Sequence, residues 1–345
     1  MDLIYFEAVS LKTPFFELQI FALNPQTTGM NSTGNDLSPE MKTFYERDLI
    51  EYAEADLIHD QFAEKYPIPK GSGKTIEFRK FTPLGKALTP LTEAVTPNGQ
   101  SLNVSAITAT IAQYGGYVAL SDLLKLTTID NIIVQATKLL GSQAGRTLDT
   151  VTREVINAGT NVIYAPAGST AVNARTGVAA TSLMTLDVIR QASLKLRRYN
   201  APTFDGSYIA IVHPDVAMDI RSLTGWIDWV KYTDPSHLFN GEIGKIENIR
   251  FIENTEAKIW QAAGASSGNV YATNFIGRGA YATTELEGGG LEMIVKQNGS
   301  AGTEDPLNQR STIGWKATKV ARILIPEYLV RVESSSSNAS TAIIT

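Results

Sequence analysis

Apolar residues recur along this chain at two different periods, and the two periods separate its helices from its strands. Between Ile132 and Val155 they fall at Ile132, Ala136, Leu140, Ala144, Leu148, Val151 and Val155. Steps of three and four keep one stripe of a helix against a core. The spacing predicts a helix over 130–158, ~43 Å long at 1.5 Å per residue. Gly141 and Gly145 lower its intrinsic helicity, so packing must hold it or it bends there. Upstream, KTIEFRKF reads as a strand over Thr75–Phe81, and Leu102–Leu120 alternates in part and is rich in Thr, Val, Ile and Tyr. Gly115-Gly116 marks a bulge or bend in that second run.

The loop between these strands breaks the usual rule that loops are polar. Thr-Pro recurs at 82–83, 89–90 and 96–97. Each proline fixes its own φ and pushes the preceding residue into extended geometry, which excludes helix. Yet the segment carries Phe81, Leu84, Leu88, Leu91 and Val95. An extended arm cannot easily bury such side chains in its own domain. These five are expected to lie on another copy of the same protein. With some dozen residues paired on each side, the hairpin projects about 40 Å at ~3.3 Å per residue.

The remaining pattern fills in the chain. Residues 1–37 read as an extended, turn-rich arm, with Met30 a candidate translation start. Ser38-Pro39-Glu40 is a capped helix start, and the helix is expected to run to about Tyr66, where Pro67 and Pro69 end it. Thr185–Tyr199 is helical, 207–212 a buried strand, Pro214–Leu223 and 225–232 helices, and 248–254 a strand. Strands follow near Val270–Ile276, Ala280–Leu286, Leu291–Val295 and Ser311–Ile325. The final SSSSNASTAIIT is low in complexity and expected to be disordered.

Composition narrows the classes. The chain has 345 residues, enough for one large domain or two, and its net charge is −5. Such mild acidity argues against a sequence-reading nucleic-acid binder, which carries a basic stripe. There is no cysteine, so disulfides, thiolate metal sites and cysteine nucleophiles are excluded. No apolar run is long enough for a transmembrane helix, and the N-terminus lacks the basic start and clean apolar run of a signal peptide. Asn31, Asn103, Asn298 and Asn338 open N-x-Ser/Thr triplets that read as chance matches.

Short motifs offer little chemistry. GSGKT at 71–75 resembles the end of a phosphate loop, but Ile68 stands where a glycine is required and a strand follows where a helix should. It reads as a turn. Gly277-Arg278-Gly279-Ala280-Tyr281-Ala282 fits a loose dinucleotide pattern with no helix after it. Asp56-x-x-His59 puts a carboxylate and an imidazole on one helix face, but a carboxylate metal site needs a second copy and further glutamates, so a solvated helix surface is the better reading. His213-Pro214-Asp215 suits a strand-to-helix turn, His237 has no ligand spacing around it, and no GxSxG elbow occurs. Glu285 and Glu287 share a wet strand face. No catalytic residue, cofactor site or metal site is assigned.

Several longer stretches, taken together, resemble the major capsid proteins of tailed bacteriophages, in the branch of the N4-like phage coat protein. They are SPEMKTFYERDL (38–49), PIPKGSGKTIEFRKFTPLGKALTPLTEAVTP (67–97), HPDVAMDIR (213–221), GEIGKIENIRFIENTEA (241–257) and DPLNQRSTIGWKA (305–317). They span about residues 38–330, in the family's order. The resemblance implies an α+β chain with the tailed-phage/herpesvirus major capsid fold. It would divide into an N-terminal arm and helix (1–66), an extended β-hairpin loop (67–120) and a peripheral domain (121–181) with spine helix 130–158. An axial domain (182–262), a return to the peripheral domain (263–333) and a disordered tail (334–345) would follow.

The implied function is self-assembly into an icosahedral head shell around double-stranded DNA, located in the virion and assembled in the host cytoplasm. The implied partners are further copies as pentamers and hexamers, a separate scaffolding protein, a portal, decoration proteins and non-specific DNA, with no membrane. Some relatives cross-link lysine to asparagine. Lys80, Lys86 and Asn98 lie in the loop, but nothing in the sequence establishes a partner pair and no cross-link is assigned. Two other readings stand beside this one: a bacterial shell of the same fold enclosing enzyme cargo, and a carboxylate- or metal-dependent enzyme centred on Asp56 and His59.

Overall fold

The structure is a computed structural model that describes residues 58–127, 132–223, 242–300 and 302–338, apart from Pro83, Thr92, Ala94 and Pro97. The expectations for residues 1–57, for the helix at 225–232 and for His237 lie outside the described residues. In chain order the first strands are β1 (Glu64–Lys65), β2 (Thr75–Phe81), β3 (Val104–Thr110) and β4 (Ala112–Ser121). Helices α1 (Asp122–Thr127) and α2 (Ile132–Asn157) come next, then β5 (Val162–Tyr164), α3 (Leu186–Arg198), β6 (Tyr208–Val212) and α4 (Pro214–Arg221). The chain continues through β7 (Glu242–Ile246), β8 (Ile249–Glu253), β9 (Ile259–Trp260), β10 (Val270–Ile276) and β11 (Tyr281–Thr284). It ends with β12 (Glu292–Lys296), β13 (Arg310–Ile323) and β14 (Leu329–Ser334). The described residues divide into two compact units, one drawn from 115–142 and 292–316, the other from 58–114, 143–291 and 317–338.

The larger unit is built on a sheet in the order β5-β14-β10-β6-β8-β7, with β9 on β10. β6 has the sequence YIAIV, every residue of it buried. A continuous apolar run is what a strand covered on both faces requires. The alternation within it sorts its residues. Tyr208, Ala210 and Val212 enter one cluster, with Val188, Ile189, Ala192 and Leu196 of α3 and Val216, Ala217 and Ile220 of α4. Ile209 and Ile211 enter the opposite cluster, with Phe62, Ile156 of α2, Ile252, Ile276, Tyr281 and Leu329. α3 presents its apolar residues at steps of three and four and ends on Lys195, Arg197 and Arg198, which suit the negative end of its dipole.

Two edges of this unit depart from expectation. Residues 58–66 do not continue a helix. They form turns and then β1, which pairs in parallel with β11. Tyr66 N–H donates to the Thr283 carbonyl at 3.1 Å and Ile68 N–H to Glu285 at 2.9 Å, so the sheet edge satisfies backbone that a helix would have satisfied internally. At the other end the order persists into the serine run. Ser335 N–H donates to Ser182 O at 2.8 Å, Ser336 Oγ to Asp215 O at 3.0 Å, and Ser337 donates from both N–H and Oγ to the Asp219 carboxylate. Small hydroxyls that bond α4 make this stretch part of the fold, up to Asn338.

In the smaller unit β12 lies antiparallel to β13, with Glu292 opposite Lys316 and Lys296 opposite Thr312. β4 flanks β13 as well. Gly115-Gly116 is no bend here but lies inside β4. A Cβ on Gly115 would sit 2.7 Å from the Trp315 carbonyl oxygen, and one on Gly314 would sit 2.8 Å from Tyr117 Cβ. The glycines permit a close approach of two strands rather than a turn. α1, which the apolar pattern did not predict, starts on Ser121, whose Oγ accepts the Leu124 N–H at 3.2 Å.

Candidate assembly interface

β2 and β3 form a separate two-stranded antiparallel ribbon, in register from Thr75 opposite Thr110 to Phe81 opposite Val104. Alternation sets its two faces. Ile76, Phe78 and Lys80 are half-buried, and Thr75, Glu77, Arg79 and Phe81 are exposed. The inward face is moored to the larger unit by Phe78, edge-on to Tyr66 with ring centroids 5.5 Å apart, and by Lys80 Nζ, 3.4 Å from Glu327 Oε2. One further bond at each end extends the ladder, Ile111 N–H to Lys74 O at 2.8 Å and Thr82 N–H to Asn103 O at 3.0 Å. The paired part is 7 residues a side, or ~23 Å at 3.3 Å per residue. It is shorter than the hairpin expected from the sequence because β4 leaves β2 and pairs with β13 instead.

Beyond the ribbon the chain runs from Thr82 to Asn103 with no strand or helix among its described residues. Every apolar residue singled out there points to solvent: Phe81 is 60% exposed, Leu84 54%, Leu88 81%, Leu91 77% and Val95 62%. Leu102 and Val104 are exposed as well. The sequence reading missed these last two, although both belong to the same uninterrupted apolar-and-polar segment. These apolar side chains are held in water on a ribbon moored to its own subunit. Leu84, Leu88, Leu91 and Val95 lie on this loop, and Phe81 is the last residue of β2 leading into it.

The other candidate residues are structural. His59 sits in a turn, fully buried rather than on a wet helix face. Its Nδ1 lies 2.6 Å from Asp149 Oδ2, its backbone N–H donates to Asp149 Oδ1 at 2.7 Å, and Tyr281 O–H donates to its carbonyl. Beside it Lys319 Nζ meets Asp60 Oδ2 at 2.5 Å, and Thr152 Oγ1 donates to Asp60 Oδ1 at 2.9 Å. Burial raises the Tyr281 hydroxyl well above the ordinary tyrosine range, and the nearby Asp60 and Asp149 add to this. Asp56, the proposed companion, lies outside the described residues, and among the described residues no cluster of three or more His, Asp or Glu could hold a metal.

GSGKT is a turn leading into β2, with Gly71 and Gly73 at φ of 87° and 86°. Gly277–Ala282 carries the chain from β10 into β11 with no helix. His213 caps α4, its Nδ1 accepting the Asp215 N–H at 3.2 Å. Among the described residues no helix is long and apolar enough to cross a membrane.

A family profile described as "Phage capsid protein" matches residues 105–332, more than half of the chain. No curated protein sequence matches it. Among solved structures, the capsid of Ralstonia phage GP4 is similar at 13% identity and a TM-score of 0.67, covering 81% of this chain and 89% of that one. The capsid of cyanophage Pam1 is similar at 15% identity and a TM-score of 0.62, covering 78% and 87%. That of cyanophage P-SCSP1u is similar at 13% identity and a TM-score of 0.59, covering 80% and 87%. At these identities the likeness establishes the fold.

Proposed function

We propose a shell-building mechanism for this chain, which belongs to the phage capsid protein family and is a major capsid protein of the phage head. It is a structural protein of the virion that works as a homo-oligomer. The arm formed by β2, β3 and the loop between them reaches onto a neighbouring copy. Phe81, Leu84, Leu88, Leu91 and Val95 are buried there rather than in their own subunit. The observation that carries this reading is their joint exposure on a ribbon that is itself firmly moored. Each contact can be modest, because many simultaneous contacts in a closed symmetric shell make the whole durable.

The finer assignments follow the family resemblance. Residues 182–262 would cluster as an axial domain in pentamers and hexamers, and 130–158 would serve as the spine of the peripheral domain. A scaffolding protein, a portal and decoration proteins would complete the particle. Assembly would occur in the host cytoplasm, and the shell would hold double-stranded DNA without specific contact. The matching family favours this over a cargo-enclosing compartment.

Deleting residues 84–98 tests the arm. We expect a folded subunit, by circular dichroism and a cooperative melt, that no longer yields shells in electron micrographs. Shells of normal number and shape from the deletion would refute the arm's role.

A further inference from the structure

Charge along the arm is segregated in a way that its apolar contacts do not explain. Between Glu64 and Lys86 stand six basic residues and two acidic ones, whereas the rest of the chain holds 24 basic against 33 acidic. The return path, Asn98–Ser121, contains no charged residue at all. Both acids of the outgoing path are occupied within the chain, Glu77 with Arg79 at 2.8 Å and Glu64 with Arg278 at 3.7 Å. Lys80 is held by Glu327. The side chains of Lys70, Lys74 and Lys86 are exposed, and among the described residues none of them makes an ion pair. Lys70 and Lys74 flank the turn at the base of the ribbon, and Lys86 lies past its far end. The three ammonium groups therefore bracket β2, a strand ~23 Å long at 3.3 Å per residue.

An arm with a cationic outgoing path and a neutral return path fits an acidic surface, and the body of this same chain is acidic. We infer that Lys70, Lys74 and Lys86 are the electrostatic half of the arm's docking, directed at carboxylates on a second copy of this chain. The inference rests on the arm reading above and adds its second component. The apolar loop supplies contact area, while the lysines speed encounter and fix register. Charges at the edge of an interface act mainly on association rate and its salt dependence. Screening shortens from ~10 Å at 0.1 M salt to ~3 Å at 1 M, so the lysine contribution is lost over that range.

The test uses three full-length chains: wild type, Lys70→Glu/Lys74→Glu/Lys86→Glu, and Leu88→Ser/Leu91→Ser. Assembly is followed by light scattering and micrographs at low and high salt, with the melting temperature of the unassembled subunit as the folding control. Wild-type assembly is expected to slow about tenfold as salt rises, and the glutamate variant to be about tenfold slower at low salt with an unchanged melt. Carbodiimide coupling in shells built from a mixture of isotope-labelled and unlabelled wild-type subunits should join these lysines to carboxylates across the isotope boundary.

A glutamate variant that assembles at the wild-type rate overturns the inference. It leaves the arm reading intact if the serine variant still fails to assemble. If glutamate-variant shells form normally but retain less double-stranded DNA, the lysines face nucleic acid and the inference falls. Normal shells from both variants remove the inference and the arm reading together.

Discussion

The carboxylate of Asp149 accepts two hydrogen bonds from one residue, His59, which lies 90 positions away: 2.7 Å from the backbone N–H and 2.6 Å from Nδ1. Both side chains are fully buried. This pair fastens the segment leading to β1 onto α2. Asp149→Ala leaves a buried N–H and a buried imidazole donor with no acceptor, which should cost about 3 kcal/mol or more. Asp149→Asn keeps one acceptor and should cost less. Urea unfolding of the unassembled subunit measures both, and equal small losses would show that the contact does not hold the segment.

Gly115 and Gly314 set a second constraint, one of space. A methyl group on Gly314 would meet Tyr117 Cβ at 2.8 Å and the Gly116 carbonyl at 2.9 Å. Those atoms belong to backbone and to the first side-chain atom, which cannot swing aside. Gly314→Ala should cost about 2 kcal/mol through displacement of β4 from β13. A melting temperature equal to wild type would mean that the two strands are not so closely packed in solution.

Much of this architecture is legible in the sequence because it is local. The YIAIV of β6, the stripe of α2 and the apolar residues among the Thr-Pro steps each state their environment within a few positions. His59 does not. Its near neighbour Asp56 offers a plausible pairing at helical spacing, while its true partner lies in another element. Gly115-Gly116 reads as a bend for the same reason. The backbone that explains it, the Trp315 carbonyl facing Gly115, is invisible until β4 and β13 are side by side. The serine run misleads through composition, since the bonds of Ser336 and Ser337 to α4 depend on where β14 delivers them.

Leu88 and Leu91 make the opposite prediction from a core residue. Both are almost wholly exposed, so Leu88→Ser/Leu91→Ser should alter subunit stability by less than about 0.5 kcal/mol. The same change should stop shell formation. A large drop in melting temperature would show instead that the loop packs on its own subunit.

His213 makes the subunit sensitive to acid. Burial lowers its pKa from the ordinary 6.5, and the pull of Asp215 and Glu253 in the other direction does not overcome it. Its ring also packs on Tyr271, and Nδ1 must stay unprotonated to accept the Asp215 N–H. The unfolded chain therefore binds a proton more readily than the folded one. The stabilisation is complete above about pH 6.5 and is lost as pH falls towards the lower, folded value. His213→Asn keeps a capping acceptor without the titration. Melts of unassembled subunits from neutral pH down to about pH 5 should show a shallower decline for this variant. Parallel declines would assign the acid sensitivity elsewhere.

Glu333 is a second fully buried carboxylate in the larger unit. It has no exposed surface, and two guanidinium groups converge on it: Arg175 through Nε at 2.7 Å and Nη2 at 2.8 Å, and Arg331 through Nε at 2.9 Å. Arg175 also stacks on Trp260, 3.6 Å from the ring centroid, and Arg331 donates to the carbonyls of Asn157 and Gly159 at the end of α2. The carboxylate thus ties β14, β9 and the end of α2 together. Glu333→Ala leaves two cations without their counter-charge and should cost about 3–5 kcal/mol. Arg175→Met should cost less, because Arg331 remains to pair the acid. The double variant should lose less than the sum of the two, with a coupling of at least ~1 kcal/mol. Strictly additive losses in urea unfolding would mean that Arg175 and Glu333 stabilise the subunit independently, Arg175 through its stacking on Trp260 alone.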